Sequence, residues 1–127
     1  MHDPVAGWHA YMRTPSTAAL DALLAEDVVF QSPAVHTPQP GKAVTMKYLS
    51  AAAEVLGRDD FTYVGEWRAE RSAVLEFTCT LADGIKVNGV DIIGWDDGGL
   101  ITSFKVMIRP MKALNAVVPL MAAALSR

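Results

Sequence analysis

The chain has 127 residues, a formal net charge of −3 at pH 7, a hydrophobic fraction of 51% and one cysteine, Cys79. This length predicts a single domain, residues 1–127, that buries its own core. The small acidic charge without a basic run argues against nucleic acid or an anionic membrane as a partner, and a lone cysteine excludes an internal disulfide.

The N-terminal segment lacks the basic start and the continuous apolar run of a signal peptide. The apolar stretch 113–125 is too short to cross a bilayer. We therefore expect a cytoplasmic protein with no membrane partner. No cysteine–histidine spacing is typical of a zinc site, and no phosphate-binding loop or nucleophile elbow is present, so we expect no cofactor.

The first third of the chain predicts two helices. Apolar residues recur at helical spacing within residues 3–13. A second helix is expected to begin with Thr14 as its cap and Pro15 at the first helical position, where a missing N–H is tolerated. We expect this helix to end near residues 26–27.

A short strand, 28–30, and an irregular loop, 32–41, precede a third helix over residues 42–56. The loop carries three prolines and is expected to form the rim of a cavity. A last helix is predicted to begin near Pro110. The third helix is expected to show Val44, Tyr48, Ala51, Ala52 and Val55 on one side, and the last helix a stripe of Met111, Leu114, Val118, Met121 and Leu125.

The segment between these two helices predicts an antiparallel meander. Four strand-like runs, 61–69, 72–81, 85–96 and 100–109, are joined by short turns rich in Asp, Gly and charged residues. Helices before and after a consecutive sheet indicate an α+β fold with the helices on one face. We expect a curved antiparallel sheet wrapped around the N-terminal helices, followed by a C-terminal helix.

Period-two alternation predicts which strand residues face the helices. Asp91 shares its face with apolar neighbours, Val87 and Ile93 among them, so it is expected to point inward. An inward carboxyl must be hydrogen-bonded, solvated or protonated, and full burial raises a carboxyl pKa by roughly 3–5 units. The same rule places inward Phe61, Tyr63, Gly65 and Trp67; Ala73, Leu75, Phe77, Cys79 and Leu81; and Leu100, Thr102, Phe104, Val106 and Ile108.

The order of the elements, together with the segment VDIIGWDDGGLITSF, resembles the nuclear transport factor 2-like superfamily. That group includes ketosteroid isomerases, SnoaL-like polyketide cyclases, scytalone dehydratase and limonene epoxide hydrolase. The resemblance covers nearly the whole chain and implies a cone-shaped, cystatin-like α+β roll with an interior pocket, here closed by the first and third helices. It also implies a homodimer through the outer sheet face, which on this chain is predicted to include Val90, Ile92, Ile101 and Met107.

The closest motif is that of the ketosteroid isomerases, whose matching strand carries an aspartate at the position of Asp91. In that family the aspartate is held protonated and donates a hydrogen bond to the developing enolate. The family's general base precedes a proline at the end of the first strand, where this chain has Ser32. The family's oxyanion tyrosine falls on Trp8, with Tyr11 one turn later. The resemblance thus implies a retained pocket with altered chemistry.

The leading interpretation is a small-molecule pocket protein. It would be a cofactor-independent isomerase, cyclase or dehydratase acting on a small hydrophobic carbonyl compound, steroid- or polyketide-like. Asp91 would be the general acid or base, and His36 a helper if the loop 32–41 folds over the pocket. The expected ligand-lining residues are Trp8, Tyr11, Met12, Ser32, Tyr48, Phe77, Phe104, Val106 and Ile108.

Three alternatives remain open from the sequence. The first is a non-catalytic binding module for an apolar metabolite, and the second is a scaffold whose cone is filled by side chains. The third is an epoxide hydrolase, which requires an Asp–Arg–Asp arrangement. It ranks below the isomerase and cyclase interpretations because alternation places Arg109 on the sheet face opposite to the expected neighbours of Asp91.

Overall fold

Residues 3–126 are described here from a computed structural model. The helices are α1 (Pro4–Arg13), α2 (Thr17–Leu23), α3 (Lys42–Leu56) and α4 (Met111–Leu125). The strands are β1 (Leu24–Gln31), β2 (Gln39–Pro40), β3 (Thr62–Arg68), β4 (Ser72–Thr80), β5 (Lys86–Trp95) and β6 (Ile101–Arg109). Within the described range, no helix has the length and apolar character needed to cross a membrane.

The six strands form one sheet in the order β2-β1-β6-β5-β4-β3. The predicted antiparallel meander is confirmed for β3 to β6. The sequence did not predict that β1 extends the sheet by pairing parallel with β6, or that β2 pairs antiparallel with β1. The sheet is curved but not closed, which confirms the α+β roll.

The second helix begins later and ends earlier than predicted. Thr14 closes α1, because its N–H donates to the carbonyl oxygen of Ala10 at 3.1 Å. Ser16 is the cap of α2, since its backbone is extended and its hydroxyl oxygen accepts from the Ala19 N–H at 3.1 Å. The helix ends at Leu23 because Leu24 already pairs with Ile101 in the sheet.

A register shift in β3 places Trp67 on the outer sheet face, which corrects the inward prediction. Tyr63 pairs with Phe77, but Gly65 pairs with Glu76, so one extra residue reverses the alternation. The Trp67 side chain is 58% exposed, and its indole ring lies over Gly65, where an added Cβ would stand 2.6 Å from the ring. Tyr63, which precedes the shift, keeps its inward direction.

A second shift lies between β5 and β6 and reverses Leu100 and Ile101. Gly94 pairs with Ser103, whereas Trp95 pairs with Ile101, so Thr102 is bypassed. Ile101 is completely buried and Leu100 is 38% exposed. The inward prediction for Leu100 is therefore wrong, and so is the placement of Ile101 on an outer dimerisation face.

The core lies between the sheet and the helices α1, α3 and α4. The inward faces of β4 and β5 are confirmed, and Cys79 is buried as predicted. On α3 the buried face is centred on Thr45, Leu49 and Leu56, about one residue from the predicted one, because α3 packs against both β1 and α4.

Candidate functional site

Asp91 lies at the centre of the inward sheet face. It pairs with Leu75 of β4 and Val106 of β6, and it is 5% exposed. Along with Thr45, it is one of two buried polar or charged residues among those described. The predicted inward carboxyl is therefore present, and its environment determines what it can do.

A chain of two hydrogen bonds connects Asp91 to α1. The Tyr63 hydroxyl donates to Asp91 Oδ2 at 2.5 Å, and Trp8 Nε1 donates to the Tyr63 hydroxyl oxygen at 2.7 Å. The first distance is typical of a hydroxyl bound to a carboxylate. Among the described residues, no donor contacts the second carboxyl oxygen, Oδ1. One oxygen is held by the protein while the other remains available to a ligand.

Burial raises the pKa of the Asp91 carboxyl to about 7, and the hydrogen bond from Tyr63 opposes this rise. The pKa of Tyr63 is raised, first by burial and then by the neighbouring Asp91 charge, so its hydroxyl keeps its proton and remains a donor. A carboxyl with a pKa near neutrality is present in both protonation states, as an acid–base catalyst requires.

Asp91 lines a small cavity of about 30 Å³ between α1, α3 and the sheet. This volume holds about one or two water molecules or a carbonyl group. The walls are otherwise apolar and largely aromatic. They comprise Trp8, Met12, Leu49, Ala52, Ala53, Leu56, Phe61, Tyr63, Phe77, Phe104 and Val106.

A larger cavity of about 200 Å³ adjoins the small one, with Ala52, Leu56 and Val106 shared by both walls. Among the described residues of its lining none is charged, and polar side-chain atoms belong to Ser32 and Tyr48. The predicted stripe of α4 faces this cavity through Leu114, Val118, Met121 and Leu125. The expectation that α1 and α3 alone close the pocket is wrong, since α4 covers its larger part.

Most of the predicted ligand-lining residues line one of the two cavities. Trp8, Met12, Phe77 and Phe104 line the small one, Ser32, Tyr48 and Ile108 line the large one, and Val106 lines both. Tyr11 is an exception: it packs on Trp8, with ring centroids 5.1 Å apart, and lines an outer recess instead.

His36 is exposed and lines neither cavity, so the structure does not bring it to Asp91. Ser32, by contrast, contributes to the wall of the large cavity directly after β1. Its hydroxyl oxygen accepts from the N–H groups of Ala34 and Val35, at 3.2 and 3.0 Å. These bonds occupy both lone pairs of the oxygen, so Ser32 cannot accept a proton from a substrate.

Tyr63 is the site residue that the sequence analysis missed. Alternation already placed it inward, but the side chain expected to assist Asp91 was His36. The contact depends on the register of three strands, because Tyr63 pairs with Phe77, and Phe77 pairs with Gly89, two residues from Asp91, so no local sequence pattern identifies it.

Within residues 3–126, no group of three or more His, Cys, Asp or Glu side chains could hold a metal ion. The cavity walls likewise show no cluster of charged side chains of the kind that holds phosphate groups. The available chemistry is therefore that of one carboxyl, its tyrosine donor and an apolar volume.

Comparisons with known proteins agree with this architecture. The SnoaL-like domain model matches residues 5–104. A steroid delta-isomerase from Pseudomonas aeruginosa has 34% identity, a TM-score of 0.90 and a match covering 97% of this chain and 89% of its own. A protein with a cystatin-like fold from Silicibacter pomeroyi has 30% identity, a TM-score of 0.87 and coverage of 97% and 85%.

More distant structures share the fold alone. An NTF2-like protein of unknown function from Mesorhizobium loti has 20% identity and a TM-score of 0.72, with the match covering 84% of this chain and 88% of that one. No curated protein matches the sequence. On the family match and the two closer structures, the chain belongs to the SnoaL-like family within the NTF2-like superfamily.

Proposed function

We propose that the protein is a cofactor-independent isomerase, cyclase or dehydratase for a small hydrophobic carbonyl compound, with Asp91 as its general acid or base. The observation that carries the proposal is the placement of Asp91. It is buried, it has one tyrosine donor, and it lines a cavity that shares three wall residues with a larger apolar one. The similarity to a steroid delta-isomerase supports the same class of chemistry.

The described cavity walls offer no second acid or base beside Asp91. In its ionised form, Asp91 takes a proton from the carbon next to the carbonyl group, which gives protonated Asp91 and an enolate. Protonated Asp91 then returns that proton to another carbon of the conjugated enolate. A single carboxyl can perform both steps because its pKa lies near neutrality. Because one carboxyl is enough for both proton transfers, the site favours an isomerisation among the three reaction classes.

The cavity volume limits the size of the ligand. About 200 Å³ is below the roughly 300–1,000 Å³ that encloses a drug-sized ligand. A carbonyl compound with one or two rings matches this volume, with its apolar body against α4 and its carbonyl group near Asp91. A four-ring steroid exceeds this volume.

The test is turnover of one- and two-ring unsaturated ketones by the wild type and by Asp91→Asn. We expect the variant to lose roughly 100-fold or more in kcat, as is typical when an acid–base group is removed. Asp59→Asn is the matched control, because Asp59 is exposed and lines no described cavity. Equal turnover by Asp91→Asn and the wild type would refute the proposed role.

A non-catalytic binding module is the second candidate. It is favoured by Ser32, which stands where the related isomerases carry their base and whose lone pairs are occupied by backbone N–H groups. This alternative expects ketone binding to the wild type without product formation over long incubation. Product that accumulates with the wild type, but not with Asp91→Asn, would exclude it.

We also propose a homodimer through the outer sheet face. The shift in β3 adds Trp67 to this face beside Val74 and Ile92, and Met107 is 50% exposed on β6. A lysine in place of Met107 should convert a sedimenting dimer to monomer, because a charge in an apolar interface remains unpaired. The control is Met111→Lys on α4, because Met111 is 77% exposed and lines neither of the two cavities.

A further inference from the structure

Ser32 and Tyr48 carry the polar side-chain atoms in the lining of the large cavity. Ser32 follows the end of β1, and Tyr48 lies on α3 with its ring stacked on Phe30, centroids 5.1 Å apart. Phe30 lines the same cavity. Both hydroxyl groups therefore belong to the end of the site formed by β1 and α3, on the wall not shared with Asp91.

The Ser32 hydroxyl can act only as a donor. A serine oxygen has two lone pairs and one proton. Its lone pairs accept the N–H groups of Ala34 and Val35, and the described residues offer no acceptor for its proton. Hydroxyl protons at partly buried positions normally have a partner, so this donor is available to a ligand or to water.

The Tyr48 hydroxyl has no hydrogen-bond partner among the described residues either. Tyr48 is half-buried, and the ring contact with Phe30 holds it in place. Ser32 and Tyr48 thus add two hydroxyl groups, neither with a described acceptor for its proton, to a lining whose other described residues are apolar and uncharged. These described walls disfavour a charged ligand group, because none of their side chains carries a charge that would compensate its lost hydration.

We infer that the ligand is a neutral compound with two separated oxygen functions. One is the carbonyl group beside Asp91, and the other is a hydrogen-bond acceptor that receives the proton of Ser32, with Tyr48 as a second donor. This inference rests on the proposed function, since both place the ligand across the same two cavities. It makes Ser32, in the position of the missing base, a specificity-determining residue.

The experiment compares two probes of nearly equal shape. Para-diacetylbenzene has a second carbonyl group, whereas para-isopropylacetophenone has an isopropyl group in its place. Equilibrium binding to the full chain is measured by calorimetry. Ser32→Ala should weaken binding of the diacetyl probe about five- to tenfold, the effect of one lost hydrogen bond, and leave the isopropyl probe unchanged.

Two further variants separate recognition from folding. Ser32→Asp retains acceptor oxygens for the N–H groups of Ala34 and Val35 but has no proton to donate when ionised. Its affinity for the diacetyl probe should therefore fall, as that of Ser32→Ala does. Tyr48→Phe keeps the stacked ring and should also weaken binding of the diacetyl probe while leaving binding of the isopropyl probe unchanged. Ser103→Ala, on the exposed outer face of β6, should bind both probes as the wild type does.

Equal affinity of the wild type for the two probes would overturn the inference, as would failure of both to bind. Parallel losses for both probes in Ser32→Ala would also overturn it. These readouts are independent of turnover. Discrimination between the probes with no product formed would leave the inference standing and refute the proposed chemistry. The opposite pattern would refute the inference alone.

Discussion

The hydroxyl oxygen of Tyr63 lies 2.5 Å from Oδ2 of Asp91, although β4 separates the strands that carry them. Gly89 makes this reach possible. A Cβ at that position would stand 2.5 Å from the Phe77 ring, so the absence of a side chain lets the ring lie over β5. Phe77 pairs with both Tyr63 and Gly89. With its ring over Gly89, the tyrosine hydroxyl has room to approach the Asp91 carboxyl.

Asp91→Asn should change how stability depends on pH. The pKa of Asp91 is raised to about 7 in the folded protein, whereas the unfolded value is about 3.9. Between these values the folded state binds more protons, so its stability falls as pH rises. Above pH 7 the variant should be more stable than the wild type by roughly 2–4 kcal/mol.

Urea unfolding of both proteins at pH 5 and pH 8 measures this difference. Only the difference between them reports on Asp91, because Asp3, Asp60 and Glu66 have lowered pKa values and act in the opposite direction at low pH. A wild-type-minus-variant difference that is constant across this range would contradict the raised pKa.

Tyr63→Phe should raise the pKa of Asp91 above that of the wild type. The hydroxyl donates to the carboxylate and thereby favours its ionised form, so its removal leaves the effect of burial unopposed. The indole N–H of Trp8 also loses its acceptor, at a cost of about 1–3 kcal/mol in stability. Carboxyl-carbon NMR titration measures the pKa.

Tyr48→Phe is the control for this measurement, since Tyr48 makes no described hydrogen bond and does not line the Asp91 cavity. It should leave the Asp91 titration unchanged. An unaltered pKa in Tyr63→Phe would show that the tyrosine does not tune the carboxyl.

Ile101→Ala should destabilise the protein by about 2–4 kcal/mol, because Ile101 is completely buried. Leu100→Ala is the matched control, and it should cost less than about 1 kcal/mol, because Leu100 is exposed. The free energies of unfolding of both variants, measured by chemical denaturation, test this order. The reverse order would mean that the register shift between β5 and β6 is absent.

Thr45→Val should stabilise the protein by about 1 kcal/mol. The Thr45 hydroxyl is completely buried and has no hydrogen-bond partner among the described residues, so a methyl group of the same shape removes an uncompensated cost. Thr62→Val is the control, because the exposed Thr62 hydroxyl donates to the Asp60 carbonyl oxygen and gains nothing from the change. A lower Tm for Thr45→Val would reveal a hidden partner for the hydroxyl.

The sequence alone determined the features that depend on neighbouring residues. The bounds of α3, the meander of β3 to β6 and the inward direction of Asp91 followed from helical spacing, turn chemistry and uninterrupted alternation. The family resemblance, carried by the order of the elements and one segment of β5 and β6, was also sufficient to identify the fold.

The tertiary structure decided whatever depends on register between strands. One extra residue in β3 turned Trp67 outward, and one in β6 turned Ile101 inward, since each shift exchanges the two sheet faces for the side chains on one side of it. The contact between Tyr63 and Asp91 spans three strands, and α4 closes the large cavity from far along the chain. Local patterns contain no information on such distances, because packing of the whole sheet against the helices sets them.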